Sequence, residues 1–265
     1  MKLHCFFIDA FSDRPFHGNP AGVCPLERWL PDATLQAIAA ENNLAETAFF
    51  VPRGEAFDLR WFSPTVEVDL CGHATLASAF VLGRILGDAR ERLTFHSKGG
   101  VLHVTRDGDW LALDFPARAP EPCAIPEALI RGLGATPREV LRARDYLAAF
   151  GSEHEVRALA PDFAALATLD AFGVIVTAPG ETADFVSRFF APRVGINEDP
   201  ATGSSHCTLI PYWAKRLGKR RLDALQVSAR GGEFRCEDRG DRVSIGGRAV
   251  RYLEGAIEVP DPATP

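Results

Sequence analysis

The sequence predicts an α+β protein of two similar lobes, each a mostly antiparallel sheet or barrel wrapped around one central helix. Three observations support this prediction. Two blocks of the chain recur in the same order, each half contains short strand-like runs, and each half contains one strong helix candidate. The chain of 265 residues suits two domains of roughly 130 residues each.

The two recurring blocks indicate a duplication. WFSPTVEVDLCGHAT, from Trp61, resembles FFAPRVGINEDPATG, which starts at Phe189. LTFHSKGGVLHVTRDGDWLAL, from Leu93, aligns without a gap with LQVSARGGEFRCEDRGDRVSI, which starts at Leu225. The second pair is spaced slightly farther apart than the first, so about four extra residues are expected between the blocks of the second half. Because the period is half the chain, we expect a duplicated domain and not a solenoid.

The boundary between the lobes is expected in the proline-rich stretch FPARAPEPCAIPEAL, because such stretches are typical of linkers. The predicted lobes are residues 1–117 and residues 118–265. Packing of the last strand of the chain on the first lobe is compatible with this prediction.

Short alternating or β-branched runs between Gly and Asp turns predict strands and hairpins in both halves. A helix is predicted from Asp32 to about Asn42, and the central helices are predicted at residues 73–86 and 203–217. The first central helix is apolar nearly all round, so we expect sheet to surround it. Pro211 is expected to bend the second one.

Composition excludes some classes of partner. With 46% apolar residues and a net charge of −6, the chain lacks the clustered basic residues that nucleic acid or an anionic membrane attracts. The one basic run, at residues 215–221, is interpreted as the solvated end of a helix. The N-terminus has the pattern of a strand and not of a signal peptide, and no apolar run is long enough to span a bilayer. We therefore expect a cytoplasmic protein.

The pattern of cysteines and histidines predicts neither a cofactor nor a metal. The six cysteines show no short paired spacing, so free thiols in a reducing compartment are expected. The seven histidines lack the usual spacing of metal ligands, and no glycine-rich loop that holds a nucleotide joins a strand to a helix.

Both central helices begin after irregular, proline-containing segments, in CGHAT and DPATGSS. Helix N-termini with small residues offer backbone N–H groups and a positive dipole end to an anion. We expect the duplication to bring the two ends together around one small carboxylate-bearing ligand. The alternative is that Thr75, Thr202 and Ser204 are ordinary helix caps.

The duplication also singles out proton-transfer candidates. At the spacing of the first pair of blocks, Cys71 aligns with Asp199, so a thiol and a carboxylate are expected at equivalent places. Glu46 lies between a helix and an apolar strand, and its counterpart in the second half, around LDAFGVIV, offers no acid directly before the strand. Such a glutamate can have a raised pKa and act as a general acid/base, although a surface position at a strand end is equally compatible. His73 alone is more typical of a helix start than of a catalyst.

Four ordered segments resemble a known family: DAFSDRPFHGNPAGV, NNLAETAFF, RWFSPTVEVDLCGHATLASA and GINEDPATGSS. They are similar to the signature segments of the phenazine-biosynthesis isomerase-like (PhzF-like) family, which has the diaminopimelate-epimerase fold. The resemblance implies two lobes with an active site between them, catalysis without cofactor or metal, and usually a homodimer.

The resemblance also implies site residues. The family's catalytic glutamate falls on Glu46, its Gly-His pair on Gly72 and His73, and its aspartate on Asp199. Gly203 and Ser204 take the place of backbone donors that hold the substrate carboxylate, and Asn19 belongs to the first signature segment.

Two positions depart from the phenazine enzyme itself. Ala45 stands where that enzyme has a serine thought to touch substrate, and Cys71 stands where it has a small inert residue. Cys71 resembles the first of the two epimerase cysteines, whereas Asp199 occupies the place of the second. Both departures argue against the phenazine precursor as the substrate.

The sequence thus predicts an isomerase that transfers a proton on a small carboxylate metabolite, with Glu46 as acid/base and with His73 and Asp199 tuning the charge. The implied model reaction is isomerisation of a dihydro-hydroxyanthranilate-type compound. One alternative is an amino-acid epimerase or racemase that uses Cys71 with Asp199. The other alternative is a non-enzymatic metabolite-binding or interaction module.

Overall fold

The computed structural model describes residues 1–260, which fold into two compact units. The first unit is Met1–Asp114 together with the chain from Gly246 onward, and the second is Phe115–Ile245. The expected lobes, 1–117 and 118–265, differ from these units in residues 115–117 and in the C-terminal segment. Residues 261–265 lie outside the described residues.

The first unit is built from short strands and two main helices. Along the chain they are β1 (Lys2–Ala10), β2 (Asn19–Pro25), α1 (Asp32–Asn42), β3 (Glu46–Arg53), β4 (Ala56–Phe62), β5 (Glu67–Val68), α2 (Gly72–Phe80), a π-helical turn (Val81–Ile85), β6 (Arg92–Ser97), β7 (Gly100–Asp107) and β8 (Trp110–Pro116), which runs past the boundary. A C-terminal strand, Ala249–Glu258, pairs antiparallel with β1 along its whole length. That pairing explains why the C-terminal segment belongs to the first unit.

The sheet of the first unit surrounds α2. Its neighbouring strands are antiparallel except for the parallel pairs β2–β3 and β4–β6. Every residue from His73 to Ala79 is buried, and α2 contacts β1, β2, β3, β7 and the C-terminal strand. A surface helix would leave one face in water, so the prediction of an enclosed first central helix is confirmed.

The second unit repeats this plan. Its elements are β9 (Glu121–Pro122), α3 (Glu127–Leu133), β10 (Glu139–Arg142), β11 (Tyr146–Ala149), α4 (Glu153–Ala158), α5 (Phe163–Leu166), β12 (Val174–Pro179), β13 (Phe185–Ala191), a 3₁₀ turn (Pro192–Val194), β14 (Ile196–Asp199), α6 (Gly203–Leu217), β15 (Arg221–Gln226), β16 (Gly232–Asp238) and β17 (Arg242–Gly247). None of the helices within residues 1–260 has both the length and the apolar composition needed to cross a membrane.

The pairing of strands confirms the duplication. In the first unit, β2 and β3 are parallel, β3 and β4 antiparallel, β4 and β6 parallel, and β6 and β7 antiparallel. The same sequence of pairings joins β11 to β12, β12 to β13, β13 to β15 and β15 to β16. In both units the main helix lies, along the chain, between the two strands of the second parallel pair. α2 lies between β4 and β6, and α6 lies between β13 and β15.

The alignment without a gap was wrong in one detail. The spacing from β4 to β13 along the chain equals the spacing from β6 to β15, whereas β7 and β16 start three residues farther apart. The three extra residues therefore lie in the β15–β16 turn, at positions 227–231, where the β6–β7 turn has only positions 98–99. Aligning the identical Gly-Gly pairs matched β7 with β16 correctly. It shifted β6 relative to β15 by three residues.

Candidate active site

Glu46 is the first residue of β3, and the parallel pairing with β2 sets it opposite Ala21. The next residue, Thr47, is buried, and its hydroxyl accepts a hydrogen bond from the Asn42 amide at 3.1 Å. A Cβ on Gly22 would lie 2.8 Å from the Thr47 hydroxyl, so glycine is needed for this close approach. Because successive side chains of a strand point to opposite faces, fixing Thr47 also fixes the direction of Glu46.

The start of α2 positions Cys71 and His73. Cys71 immediately precedes the helix, and His73 is its second residue. The Cys71 carbonyl accepts hydrogen bonds from the Thr75 hydroxyl at 2.6 Å and the Thr75 backbone N–H at 3.2 Å. Thr75 therefore closes the first helical turn and does not cap the helix end.

These two elements bring Glu46, Cys71 and His73 together as a cluster, which we call the Glu–His–Cys cluster. His73 Nε2 lies 3.1 Å from Glu46 Oε2, and His73 Nδ1 lies 3.5 Å from Cys71 Sγ. The side chains of His73 and Glu46 are 8% and 14% exposed, and Cys71 is buried. A surface position for Glu46 is therefore excluded.

Burial and mutual contact set the charges of the cluster. Burial opposes ionisation of Glu46, but its contacts with His73 and Cys71 outweigh this, and the pKa of Glu46 is lowered. Burial likewise opposes the charged form of His73, yet Cys71 and Glu46 raise the pKa of His73 well above its usual value. Burial and the nearby Glu46 charge raise the pKa of the Cys71 thiol to about 11.

The expectation of a raised pKa at Glu46 was therefore wrong. It considered only the apolar strand, whereas the contact with an imidazolium stabilises the carboxylate more than burial destabilises it. These shifts favour the carboxylate form of Glu46, the protonated form of His73 and the neutral form of the Cys71 thiol. Such an arrangement presents a base that is already deprotonated, with an acid hydrogen-bonded to it.

In the second unit, Asp199 belongs to a hydrogen-bond network at the start of α6. Its carboxylate accepts a hydrogen bond from the Thr202 hydroxyl. The Gln226 amide donates to the Asp199 carbonyl at 2.6 Å and accepts from the Thr202 backbone N–H at 2.8 Å. Gln226 is buried and comes from β15. Nothing in its local sequence indicated this role.

Gly203 is the first residue of α6, and Ser204 follows it. The Ser204 hydroxyl accepts a hydrogen bond from the Arg144 guanidinium at 3.3 Å. Arg144 also pairs with the buried carboxylate of Asp145 at 2.9 Å and lies over the Phe172 ring, 4.3 Å from its centroid. The hydroxyls of Thr202 and Ser204 therefore form hydrogen bonds with other side chains, and neither residue caps α6.

The two helix starts also correct the proposed equivalence of Cys71 and Asp199. Cys71 is the residue before α2, and the residue before α6 is Thr202. Asp199 instead ends β14, four residues before the helix begins. The fixed offset taken from the first pair of blocks failed here because the segment between β13 and α6, at positions 192–202, is longer than the segment between β4 and α2, at positions 63–71.

A second buried histidine, His206, lies in the first turn of α6. Its Nδ1 lies 2.8 Å from the Thr202 carbonyl, and its ring stacks on Phe234 with centroids 3.9 Å apart. Burial lowers the pKa of His206 to about 4, against the opposing effect of the Thr202 carbonyl. His206 is therefore neutral at physiological pH.

The comparisons with known proteins agree with the four signature segments. A sequence profile described as phenazine biosynthesis-like protein matches residues 8–255. The chain belongs to the phenazine biosynthesis-like family. A protein of Pseudomonas aeruginosa described as an uncharacterized isomerase is 56% identical over 98% of this chain and all of its own length.

Solved structures of the phenazine biosynthesis-like family confirm the fold. A PhzF-family crystal structure from Enterococcus faecalis has a TM-score of 0.96 and 48% identity, with 98% of this chain and 100% of that chain covered. The structure of a predicted epimerase from Pseudomonas aeruginosa shares the fold with a TM-score of 0.74 and 19% identity, covering 97% of this chain and 100% of that chain. The predicted diaminopimelate-epimerase-like fold class is thus confirmed.

The remaining site predictions for this member of the family stay predictions. Gly72 begins α2 beside the Glu–His–Cys cluster, and Ala45 directly precedes Glu46. Asn19 is buried two residues before Ala21, the strand partner of Glu46. The structure places these three residues in the first unit, at or directly before the starts of α2, β2 and β3. The roles predicted for Asp199, Gly203 and Ser204 are untested.

Proposed function

We propose that this member of the phenazine biosynthesis-like family is an isomerase that transfers a proton on a small carboxylate-bearing metabolite, with Glu46 as the acid/base. One observation carries the proposal. Glu46 Oε2 lies 3.1 Å from His73 Nε2 in a largely buried cluster. A deprotonated carboxylate held beside an imidazolium has the protonation state that removing a proton from carbon requires.

The proposed reaction needs only this acid/base chemistry. Glu46 takes a proton from a carbon that is acidified by a neighbouring carbonyl or unsaturated system, and the electron pair of the C–H bond moves into that system. The protonated Glu46 then returns the proton to a different carbon. One C–H bond breaks, another forms and the double bond moves, so no group is oxidised or reduced.

His73 favours the deprotonated form of the proposed base, Glu46. Its positive charge favours the carboxylate form of Glu46, and burial of the pair strengthens their interaction because the local dielectric is low. When Glu46 accepts a proton, the imidazolium is left beside a neutral acid, and its charge is then available to a developing anion. His73 is in this account a charge-tuning group and not the base.

The test is solvent deuterium exchange, followed by ¹H NMR in D₂O. The substrates are a dihydro-hydroxyanthranilate and a panel of small carboxylates with an acidic C–H bond. We expect Glu46→Gln to lower the turnover of any exchanged compound by roughly 10²–10⁴-fold, since it keeps the shape but removes proton transfer. Glu41→Gln, an exposed glutamate five residues earlier, is the matched control and should exchange normally. Equal rates for wild type and Glu46→Gln would contradict the proposal.

A second candidate is an amino-acid epimerase, and the contact between Cys71 Sγ and His73 Nδ1 at 3.5 Å favours it. An epimerase would incorporate deuterium at a stereocentre without moving a double bond. It would also be inactivated by Cys71→Ala more than by Glu46→Gln. A non-enzymatic binding module would be indicated if Glu46→Ala left every measured property unchanged.

A further inference from the structure

The Glu–His–Cys cluster offers three different metal-binding atoms at one place. Glu46 contributes a carboxylate oxygen, Cys71 a sulfur and His73 an imidazole nitrogen, and these atoms all lie within 4.8 Å of one another. The spacing of cysteines and histidines along the sequence did not indicate this site, because Glu46 comes from a strand and the other two residues from a helix start.

The ligand types select a class of ion. Sulfur and imidazole ligands disfavour the hard ions Mg²⁺ and Ca²⁺, which prefer oxygen. A combination of one thiolate, one imidazole and one carboxylate suits Zn²⁺ and similar borderline-soft divalent ions. Three protein ligands leave the fourth tetrahedral position to water, as in open zinc sites.

The distances fit a tetrahedral ion. Zinc bonds of about 2.0 to 2.3 Å imply ligand-to-ligand distances of about 3.3 to 3.6 Å around a tetrahedron. His73 Nε2 lies 3.1 Å from Glu46 Oε2 and 3.9 Å from Cys71 Sγ. The first distance lies just below the tetrahedral range, and the second lies just above it. Binding of one ion by all three atoms therefore requires rotation of the side chains, because Cys71 Sγ lies nearer to His73 Nδ1, at 3.5 Å, than to Nε2.

From this ligand set and these distances we infer that the Glu–His–Cys cluster binds one Zn²⁺-like divalent ion, which inhibits proton transfer at the cluster. Binding displaces one proton from the Cys71 thiol and one from the His73 imidazolium. The ion then meets a thiolate, a neutral imidazole and a carboxylate, so the complex has the same zero net charge as the resting cluster. A nearby cation also reverses the effect of burial on the thiol, because coordination deprotonates it.

Inhibition follows because the ion occupies the atoms that proton transfer needs. With Glu46 oxygen and His73 nitrogen both coordinated, neither group is available to move a proton. This consequence rests on the proposed function, whereas binding of the ion does not.

The experiment uses Co²⁺ as the spectroscopic probe and Zn²⁺ as its competitor, with the full chain. Coordination by a thiolate gives a sulfur-to-cobalt charge-transfer band. We expect this band at one equivalent of Co²⁺ in wild type and its loss on addition of Zn²⁺. Cys71→Ser should remove the band. Cys123→Ser, which changes a half-buried thiol in the loop between β9 and α3, is the matched control and should keep it.

Absence of the band in wild type, or a band that survives Cys71→Ser, would overturn the inference. If Cys71→Ser fails to fold, Glu46→Gln gives a second measurement, because loss of one of three ligands should weaken Zn²⁺ affinity at least about 10-fold. Unchanged affinity would overturn the inference equally. Deuterium exchange then separates the two proposals. If no wild-type exchange is found without metal, the proposed function fails while the cobalt band still decides the metal site.

Discussion

The two units use equivalent positions in opposite ways. His73 is the second residue of α2, and the equivalent second residue of α6 is Ser204. His73 contacts the Glu46 carboxylate. In the second unit Ser204 instead accepts a hydrogen bond from Arg144, whose guanidinium also lies over the Phe172 ring. One copy of the duplicated fold thus presents an acid/base pair where the other holds a fixed cation.

The two buried histidines show the same divergence. His73 contacts Cys71 and the Glu46 carboxylate, and its pKa is raised, whereas His206 stacks on Phe234 and burial lowers its pKa to about 4. Burial favours the neutral form of both rings, so the partner decides the charge. We therefore expect substitutions at the start of α2 to change activity and substitutions at the start of α6 to change stability.

The largest expected effect on this contrast comes from His73→Gln. Glutamine keeps a hydrogen bond to Glu46 but removes the charge that stabilises its carboxylate, so turnover should fall by roughly 10²-fold. Deuterium exchange measures this directly. His154→Gln, an exposed histidine of the second unit, is the control and should retain normal turnover. Unimpaired exchange in His73→Gln would show that the charge of His73 has no role.

Arg144→Met should destabilise the protein by about 2 kcal/mol, because it leaves the buried carboxylate of Asp145 without its guanidinium partner. Urea unfolding of the full chain measures the loss. Arg144→Lys keeps the charge and should recover part of the stability. If Arg144→Met is as stable as wild type, Arg144 has no structural role, and the proposed contrast between the two units is wrong.

His206→Phe keeps the stacking on Phe234 but loses the hydrogen bond to the Thr202 carbonyl, so we expect a loss of about 1 kcal/mol at pH 7. The variant should also respond less to acid. Because the folded pKa of His206 is about 4, below its unfolded value of about 6.5, the unfolded chain binds the extra proton between these values. Wild-type stability therefore falls as pH drops from about 6.5 towards 4.

Stability curves of wild type and His206→Phe at several pH values isolate this contribution. The raised pKa of His73 acts in the opposite sense, since its contribution is present below the unfolded value and is lost as pH rises through the folded one. An NMR titration should place the two rings on opposite sides of about 6.5. If wild type and His206→Phe lost the same stability as pH falls, the buried, neutral state of His206 would be contradicted.

The smallest expected effect is that of Cys71→Ala, which should lower turnover only a few-fold, less than the roughly 10² or more that loss of an acid/base costs. The thiol has a pKa of about 11 and is therefore neutral beside the charged pair. Deuterium exchange compared side by side with Glu46→Gln provides the ranking. An inactive Cys71→Ala with a nearly normal Glu46→Gln would favour the epimerase.

The sequence by itself determined the duplication, the fold class and the enclosure of α2. These follow from patterns that the chain carries locally: recurring blocks, alternating strands and a helix that is apolar nearly all round. The family resemblance also placed Glu46 and His73 among the site residues.

Only the tertiary structure decided what these residues do to each other. Glu46 and His73 lie on separate elements, and their contact depends on the register of β3 with β2 and on the packing of α2 against both. Gln226 reaches Thr202 from a strand beyond α6. A pKa depends on burial and on the nearest charges. The lowered pKa of Glu46 and the neutral state of His206 were therefore fixed by side chains that the folded chain brings together from distant segments.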